Sequence, residues 1–147
     1  MQKEISSIEK VRFSDCDPIG HLNNVKYLEY MLNAREDHVE SGYGFTYEEY
    51  TKRTGCTWVT IQNEIAYLKE VRYNAKVMIT SKTIDLGDRL SKVEILMKSE
   101  DGKTIHSVLW LTVIYFNMKT RSSESHPEDT KELFQNFLVN LEEKDFQ

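Results

Sequence analysis

Apolar and polar positions along the chain divide it into one long helical stretch, a run of alternating strands and a closing helix. Residues 3–13 read as a strand with a polar start, in which Val11 and Phe13 share one face and Arg12 takes the other. Residues 15–23 break the pattern: Asp17-Pro18 favours a turn, and Gly20 permits backbone angles closed to other residues. Residues 24–41 then read as helix. Asn23 or Asn24 is placed to cap its start, and Gly42 stands where a C-terminal glycine cap belongs. The polar stripe of this helix is narrow: Glu29, Asn33, Glu36, Asp37 and Glu40. Val25, Tyr27, Leu28, Tyr30, Met31, Leu32, Ala34 and Val39 cover most of the remaining circumference. A helix lying on a surface keeps a broad polar face, so this one is expected to be largely wrapped by other elements.

After an irregular connection at residues 42–55, with a short helix expected at 47–52, the pattern changes from helical to alternating. In residues 57–68, Val59, Ile61, Ile65 and Tyr67 are expected to share one face, with Asn63 as a polar intruder. In residues 77–86, Met78, Ile84 and Leu86 fall on one side and Val77 and Ile79 on the other. Leu86-Gly87-Asp88-Arg89 reads as a turn, and residues 90–98 hold Val93, Ile95 and Met97 in phase. Asp101-Gly102 is a strong hairpin signal. Residues 104–116 carry apolar side chains on both faces, which predicts a central strand. Residues 117–126 are polar loop. Pro127 suits the first position of a helix, with Glu128 and Asp129 at its positive end. Leu133, Phe134, Phe137, Leu138 and Leu141 then make an apolar stripe, expected to pack outside the sheet or against a partner chain. The strands are expected to be joined mostly by tight turns. One long helix and a run of antiparallel strands make an α+β domain. A single sheet curled around one apolar helix satisfies both the burial and the order.

Composition narrows the class. At 147 residues the chain, taken as a single domain over 1–147, buries roughly 70% of its unfolded surface, enough for a real core. With 39% apolar and 29% charged residues it has the balance of a soluble globular protein. Its mean hydropathy is −0.55, and no apolar run approaches the ~18 residues of a membrane span, so no membrane partner is expected. The first residues lead into no apolar segment of the kind that marks secretion, which leaves the cytoplasm as the default location. The 19 Lys and Arg are dispersed among 24 acids, against the basic face that nucleic-acid binding needs. Cys16 and Cys56 form no C-x-x-C pair and read as reduced, partly buried thiols. His38, His106 and His126 have no partners in spacing and receive no role.

The densest polar chemistry lies between the first strand and the long helix. The run Asp15-Cys16-Asp17-Pro18-Ile19-Gly20-His21-Leu22-Asn23-Asn24-Val25-Lys26-Tyr27 resembles the loop-and-helix motif of hotdog-fold thioesterases. Its nearest likeness is to the 4-hydroxybenzoyl-CoA thioesterase family and the broader bacterial acyl-CoA thioesterases, whose motif reads roughly D-x-D-x-x-G-H-x-N-N-x-x-Y before a helix. Strand order, helix length and hairpin positions extend the resemblance over most of the chain. It implies a hotdog fold: a curled antiparallel sheet wrapped around one long buried helix, plus a C-terminal helix. It implies an acyl-CoA thioesterase releasing a carboxylic acid and CoA, with Asp17 as the catalytic carboxylate and the backbone N–H at about Asn24 as oxyanion donor. Gly20 and Asn23 then shape the loop and helix end around the substrate, and Tyr27 lines an acyl tunnel. Plant acyl-carrier-protein thioesterases look similar here and use a motif His and a downstream acid, which fall on His21 and, by a looser alignment, Glu70. Their motif carries an Asn where this chain has Ile19. The substrate's nucleotide end is held in the family near the turn before the fourth strand, where Arg89 and Ser91 sit. The resemblance further implies at least a homodimer, a tetramer being compatible, and no cofactor or metal. Rival readings on the same fold are an acyl-carrier-protein thioesterase, a hydratase or dehydratase, and a non-catalytic acyl-thioester binder.

The residues suit that chemistry. A carboxylate attacks an activated carbonyl directly or deprotonates water. The start of a helix offers unpaired N–H groups and partial positive charge, a home for a developing oxyanion. Each residue also has a plainer role. Asp15 braces the loop, Asp17 makes a turn, Asn23 and Asn24 cap the helix, and Tyr27 and Tyr30 pack against it. His21 orients Asp17 or water, or only bonds the loop. Glu64 and Glu70 read as solvated strand-end acids. A metal at Asp15, Asp17 and His21 lacks the further oxygen ligands a hard cation wants.

Overall fold

In the computed structural model, which describes residues 2–140, strand β1 (Ile5–Lys10) leads through a short 3-10 turn (Phe13–Asp15) and a loop into helix α1 (Asn24–His38). One π-helical turn (Val39–Tyr43) extends it, and helix α2 (Tyr47–Thr54) follows. Four long strands come next: β2 (Cys56–Tyr67), β3 (Lys76–Leu86), β4 (Leu90–Ser99) and β5 (Ile105–Asn117). A short strand β6 (Ser122–Ser123), which the polar sequence there does not announce, precedes helix α3 (Glu128–Phe137). Leu141, the last residue of the expected apolar stripe, lies outside the described residues.

All strand pairs are antiparallel, in the order β1-β3-β4-β5-β2, with β6 beside β5. β5 is a central strand, as its two apolar faces predict. Tight turns join β3 to β4 and β4 to β5, and Gly102 takes φ +77° in the second, beside Asp101. β2 and β3 are different. They are consecutive in the chain but not neighbours in the sheet, so residues 68–75 form a crossing rather than a tight turn.

The inward faces of the sheet close on one stripe of α1. Val77, Ile79, Ile95, Met97 and Leu109 are buried with Tyr27, Met31 and Ala34. Each such side chain contributes roughly 1.5–3 kcal/mol by leaving water, which is what keeps the helix in the curl. α1 is nevertheless less wrapped than its composition implies. Leu28, Tyr30 and Leu32 are half-buried and Val25 is 69% exposed. One curled sheet reaches only one side of a helix.

Several local expectations change for physical reasons. The first strand stops at Lys10; Val11 is buried, while Phe13 stands exposed on the 3-10 turn instead of sharing its face. Gly42 does not cap α1. The π-helical turn carries the chain on to Gly44, which takes φ +89° and donates its N–H to Val39 C=O. Gly42 is needed for closeness: a Cβ there would collide with Ile5 Cδ1. In β2 the register shifts between Thr60 and Gln62, leaving Ile61 as the extra residue. The bulge exchanges the faces. Trp58 and Thr60 oppose the inward Tyr115 and Val113, and beyond the bulge Ile65 and Tyr67 oppose the inward Leu109 and Ser107. Val59 therefore does not share a face with Ile65 and Tyr67. Pro127 is the N-cap of α3 and not its first residue. α3 packs on the end of α1 and the inward Trp58, through Phe137 stacked on Tyr43 and Phe134 edge-on to Trp58, and not on the outside of the sheet.

The C-terminal half of α1 buries two basic side chains that apolar patterning cannot anticipate, Arg35 and His38. The His38 ring lies between Ser7 Oγ (2.8 Å) and Ser81 Oγ (2.7 Å). Burial, and then the nearby Arg35 charge, lower its pKa from 6.5 to about 4. Between those values the unfolded chain binds a proton that the folded chain refuses, so this contribution is complete above pH 6.5 and is lost as pH falls toward 4. The melting temperature of the wild type is expected to fall as pH is lowered across that window, and less steeply in His38→Gln, whatever that variant's stability at neutral pH. Parallel pH profiles would assign the acid sensitivity elsewhere.

Candidate active site

The loop before α1 is held by its own backbone and by the crossing from β2 to β3. Asp17 N–H donates to His21 C=O (2.8 Å) and Gly20 N–H to Asp17 C=O (3.0 Å). Gly20 supplies the positive φ, +84°, that this turn requires. Leu22 N–H then donates to Val71 C=O (2.7 Å) and Tyr73 N–H to Gly20 C=O (2.8 Å), while Val11 and Asn74–Ala75 pair on the other side. The loop is thus zipped to residues 71–75 as a short irregular ladder.

Side chains complete the brace. Tyr30 on α1 donates its hydroxyl to Asp15 Oδ2 and accepts Arg12 N–H. Burial and the Asp15 contact push the Tyr30 phenol up to about 12, so it remains a donor. Asp15 therefore serves the loop, with Lys26 Nζ 3.9 Å from its Oδ1. Cys16 donates Sγ–H to Arg12 C=O. Burial and the flanking Asp17 and Asp15 raise its thiol pKa, the reverse of what a nucleophilic thiolate needs.

Asp17, His21, Asn24, Tyr27 and Glu70 border one cavity of about 260 Å³. Asp17 Oδ1 accepts the N–H groups of Ile19 and His21, each at 3.0 Å. Among the described residues its Oδ2 takes no hydrogen bond. One oxygen makes the turn and the other is open, so the turn does not use up the carboxylate. At the helix start, Asn23 Oδ1 accepts Val25 N–H (3.4 Å) and Asn23 C=O accepts Lys26 N–H (2.8 Å). The N–H of Asn24 finds no acceptor among the described residues, and Asn24 borders the cavity. His21 Nδ1 is 3.3 Å from Glu70 Oε2, which favours the proton on Nδ1 and leaves Nε2 as the basic nitrogen. Tyr27 is buried, its ring edge-on to Tyr67 at 5.2 Å, and burial raises its phenol pKa.

Gly20 and Asn23 shape this site through backbone and cap. Arg89 and Ser91 lie apart from it: Arg89 bonds Ser123, and Ser91 borders a second cavity against α1. Tyr67, at the end of β2, and Lys69, on the crossing that follows it, also border the first cavity, a placement that follows from sheet order and not from local pattern. Among the described residues no group of three or more His, Cys, Asp or Glu is placed to hold a metal ion.

The fold and this motif define a hotdog domain of the thioesterase kind. The family model described as the thioesterase-like superfamily matches residues 11–134, and the chain belongs to that superfamily. No curated protein sequence matches it. Solved structures share the fold at low identity. A hypothetical protein from Staphylococcus aureus, in complex with CoA, is 17% identical with a TM-score of 0.85, covering 100% of this chain and 94% of that one. The DHNA-CoA thioesterase of Staphylococcus aureus is 18% identical with a TM-score of 0.80, over 90% of this chain and 89% of that one. The 12:0-ACP thioesterase of Umbellularia californica is 14% identical with a TM-score of 0.82, over 99% of this chain and 55% of that one.

The brace yields a stability prediction. Tyr30→Phe removes the hydroxyl shared by Asp15 and Arg12, and should lower unfolding free energy by about 1–2 kcal/mol in urea titrations. An unchanged midpoint would mean that the loop holds itself.

Proposed function

We propose that the chain is an acyl-CoA thioesterase, hydrolysing the thioester to a carboxylic acid and CoA. The observation that carries this is that Asp17, whose Oδ2 takes no hydrogen bond among the described residues, and Asn24, whose N–H finds no acceptor among them, border one cavity. The carbonyl oxygen sits at the helix start, where the Asn24 N–H and the helix dipole favour the charge it gains. Asp17 attacks the carbonyl carbon, giving a mixed anhydride that water then hydrolyses, or takes a proton from the water that attacks and passes it to the departing sulfur. The sulfur leaves with CoA. His21, steered by Glu70, is the positioning residue for Asp17 or that water. Arg89, half exposed at the turn outside the cavity, is assigned to the nucleotide end of CoA; Ser91, buried against the second cavity, is not. The CoA-bound neighbour supports CoA as the carrier. The neighbour acting on acyl-carrier protein keeps that carrier as the second reading.

Asp17→Asn keeps the oxygen that accepts both loop N–H groups but loses the charge. Its kcat on acyl-CoA should fall by ~10²-fold or more with the melting temperature nearly unchanged. Retained activity would remove Asp17 from the mechanism. A panel of acyl-CoAs and acyl-carrier proteins, compared by kcat/KM, separates the two carriers. Wild-type protein that binds them without releasing thiol would be a binder and not a hydrolase.

The active unit is proposed to be a homodimer, a tetramer being a further assembly. β2 is an edge strand of 12 residues with Ile61 55% exposed. A long apolar edge is a liability unless another strand covers it. Sedimentation should give a mass of at least twice the 17.3 kDa chain, and Ile61→Pro should shift it toward the monomer. A wild-type monomer at micromolar concentration would exclude this interface.

A further inference from the structure

The second cavity, about 340 Å³, lies between the C-terminal half of α1 and the sheet. Its walls are apolar: Leu32, Val39, Trp58, Val93, Leu111 and Val113 among them. Arg35 borders it, yet that side chain is only 4% exposed. Its Nη1 donates to Ser81 Oγ (3.1 Å) and its Nη2 to Thr83 Oγ1 (3.1 Å) and Tyr43 Oη (3.2 Å). These acceptors are neutral. Among the described residues no carboxylate forms an ion pair with Arg35. A buried guanidinium is rarely left without an anion, because hydroxyls solvate the charge but do not cancel it. His38, beside it, is held neutral and adds no second charge. Glu36 also borders the cavity, but it is exposed, where water screens it. The π-helical turn places the Tyr43 hydroxyl in this cluster, and such turns recur at functional sites.

We propose that this cavity binds an aliphatic carboxylate, its chain against the apolar walls and its head group on Arg35. The size fits a small amphipathic ligand. Two sources share this chemistry. One is a free carboxylic acid, the kind of molecule thioester hydrolysis releases. The other is the distal carboxylate of an acyl thioester, a source that rests on the thioesterase reading.

The test is read on binding, so it stands whether or not the protein turns over. Two-dimensional NMR of the full chain is recorded with decanoate and with 1-decanol. Decanoate is expected to move the indole N–H of Trp58 and not that of Trp110, and to bind about tenfold or more tightly than decanol, the value of one charge-assisted contact. Arg35→Met should erase that preference. Should that variant unfold, Thr60→Trp, at an exposed position bordering the cavity, should block decanoate while leaving the melting temperature unchanged. Equal affinity for acid and alcohol, or shifts confined to the Asp17 cavity, would overturn the proposal. A second arm compares decanoyl-CoA with its ω-carboxylated analogue. A preference for the analogue that Arg35→Met abolishes identifies the substrate as the source, and decanoate binding without that preference identifies the free acid. Absence of turnover with decanoate binding intact would sink the hydrolase reading alone.

Discussion

The candidate active site depends on a backbone ladder that belongs to no regular strand. Leu22 to Val71 and Tyr73 to Gly20 tie the loop before α1 to the crossing between β2 and β3. Without it, Asp17 and Glu70 would sit on segments some fifty residues apart with nothing to bring them together. The ladder also explains the density of small special residues around it. Gly20 and Asn74 both take positive φ, +84° and 71°, at the two ends of the pairing. Asn tolerates that conformation where most side chains do not. Because the ladder is made of main-chain bonds, side chains such as Asp17 Oδ2 and His21 are released for other work.

This division explains what could be read from the residues alone. The inward residues Val93, Ile95 and Met97 of β4 and Leu109, Leu111 and Val113 of β5 recur at every second position, and that period-2 trace makes both strands recoverable. The loop motif was recoverable because its residues are consecutive. The bulge at Ile61 was not: a single inserted residue leaves composition unchanged while exchanging every face beyond it. Glu70 is reached only through the resemblance, since local pattern reads it as a solvated strand-end acid. Its partner His21 is distant in sequence, and the crossing that joins them follows from sheet order, which local pattern does not encode. The same holds for His38 and His126. His126 accepts the Trp58 indole N–H and faces the carbonyls of Gly87 and Asp88. Isolated histidines in the sequence become buried, neutral rings once distant hydroxyls, carbonyls and an indole surround them.

The two ends of α1 present opposite electrostatic problems. At its start, an unpaired N–H and the positive end of the helix dipole await negative charge. Near its end, Arg35 brings a full cation where the dipole is negative, and the placement is favourable for the helix. It is costly for the core, because neutral hydroxyls alone receive the charge. Burial of His38 in its neutral form keeps that cost from doubling. Positive charge thus stands near both ends of the helix, from the backbone at its start and from Arg35 near its end, and each end borders its own cavity.

β2 connects them. Its first half gives Thr57, Trp58 and Thr60 to the cavity beside Arg35, and its end gives Tyr67 to the cavity beside Asp17. The Ile61 bulge is what allows one strand to face inward at both places, since it resets the phase between them. Among the described residues the same strand is one of the two edges of the sheet. In the proposed dimer, a partner strand laid along that edge would fix the twist of β2 through main-chain bonds, and hence the position of both cavity walls at once. A change that loosens β2 is therefore felt in the walls of both cavities.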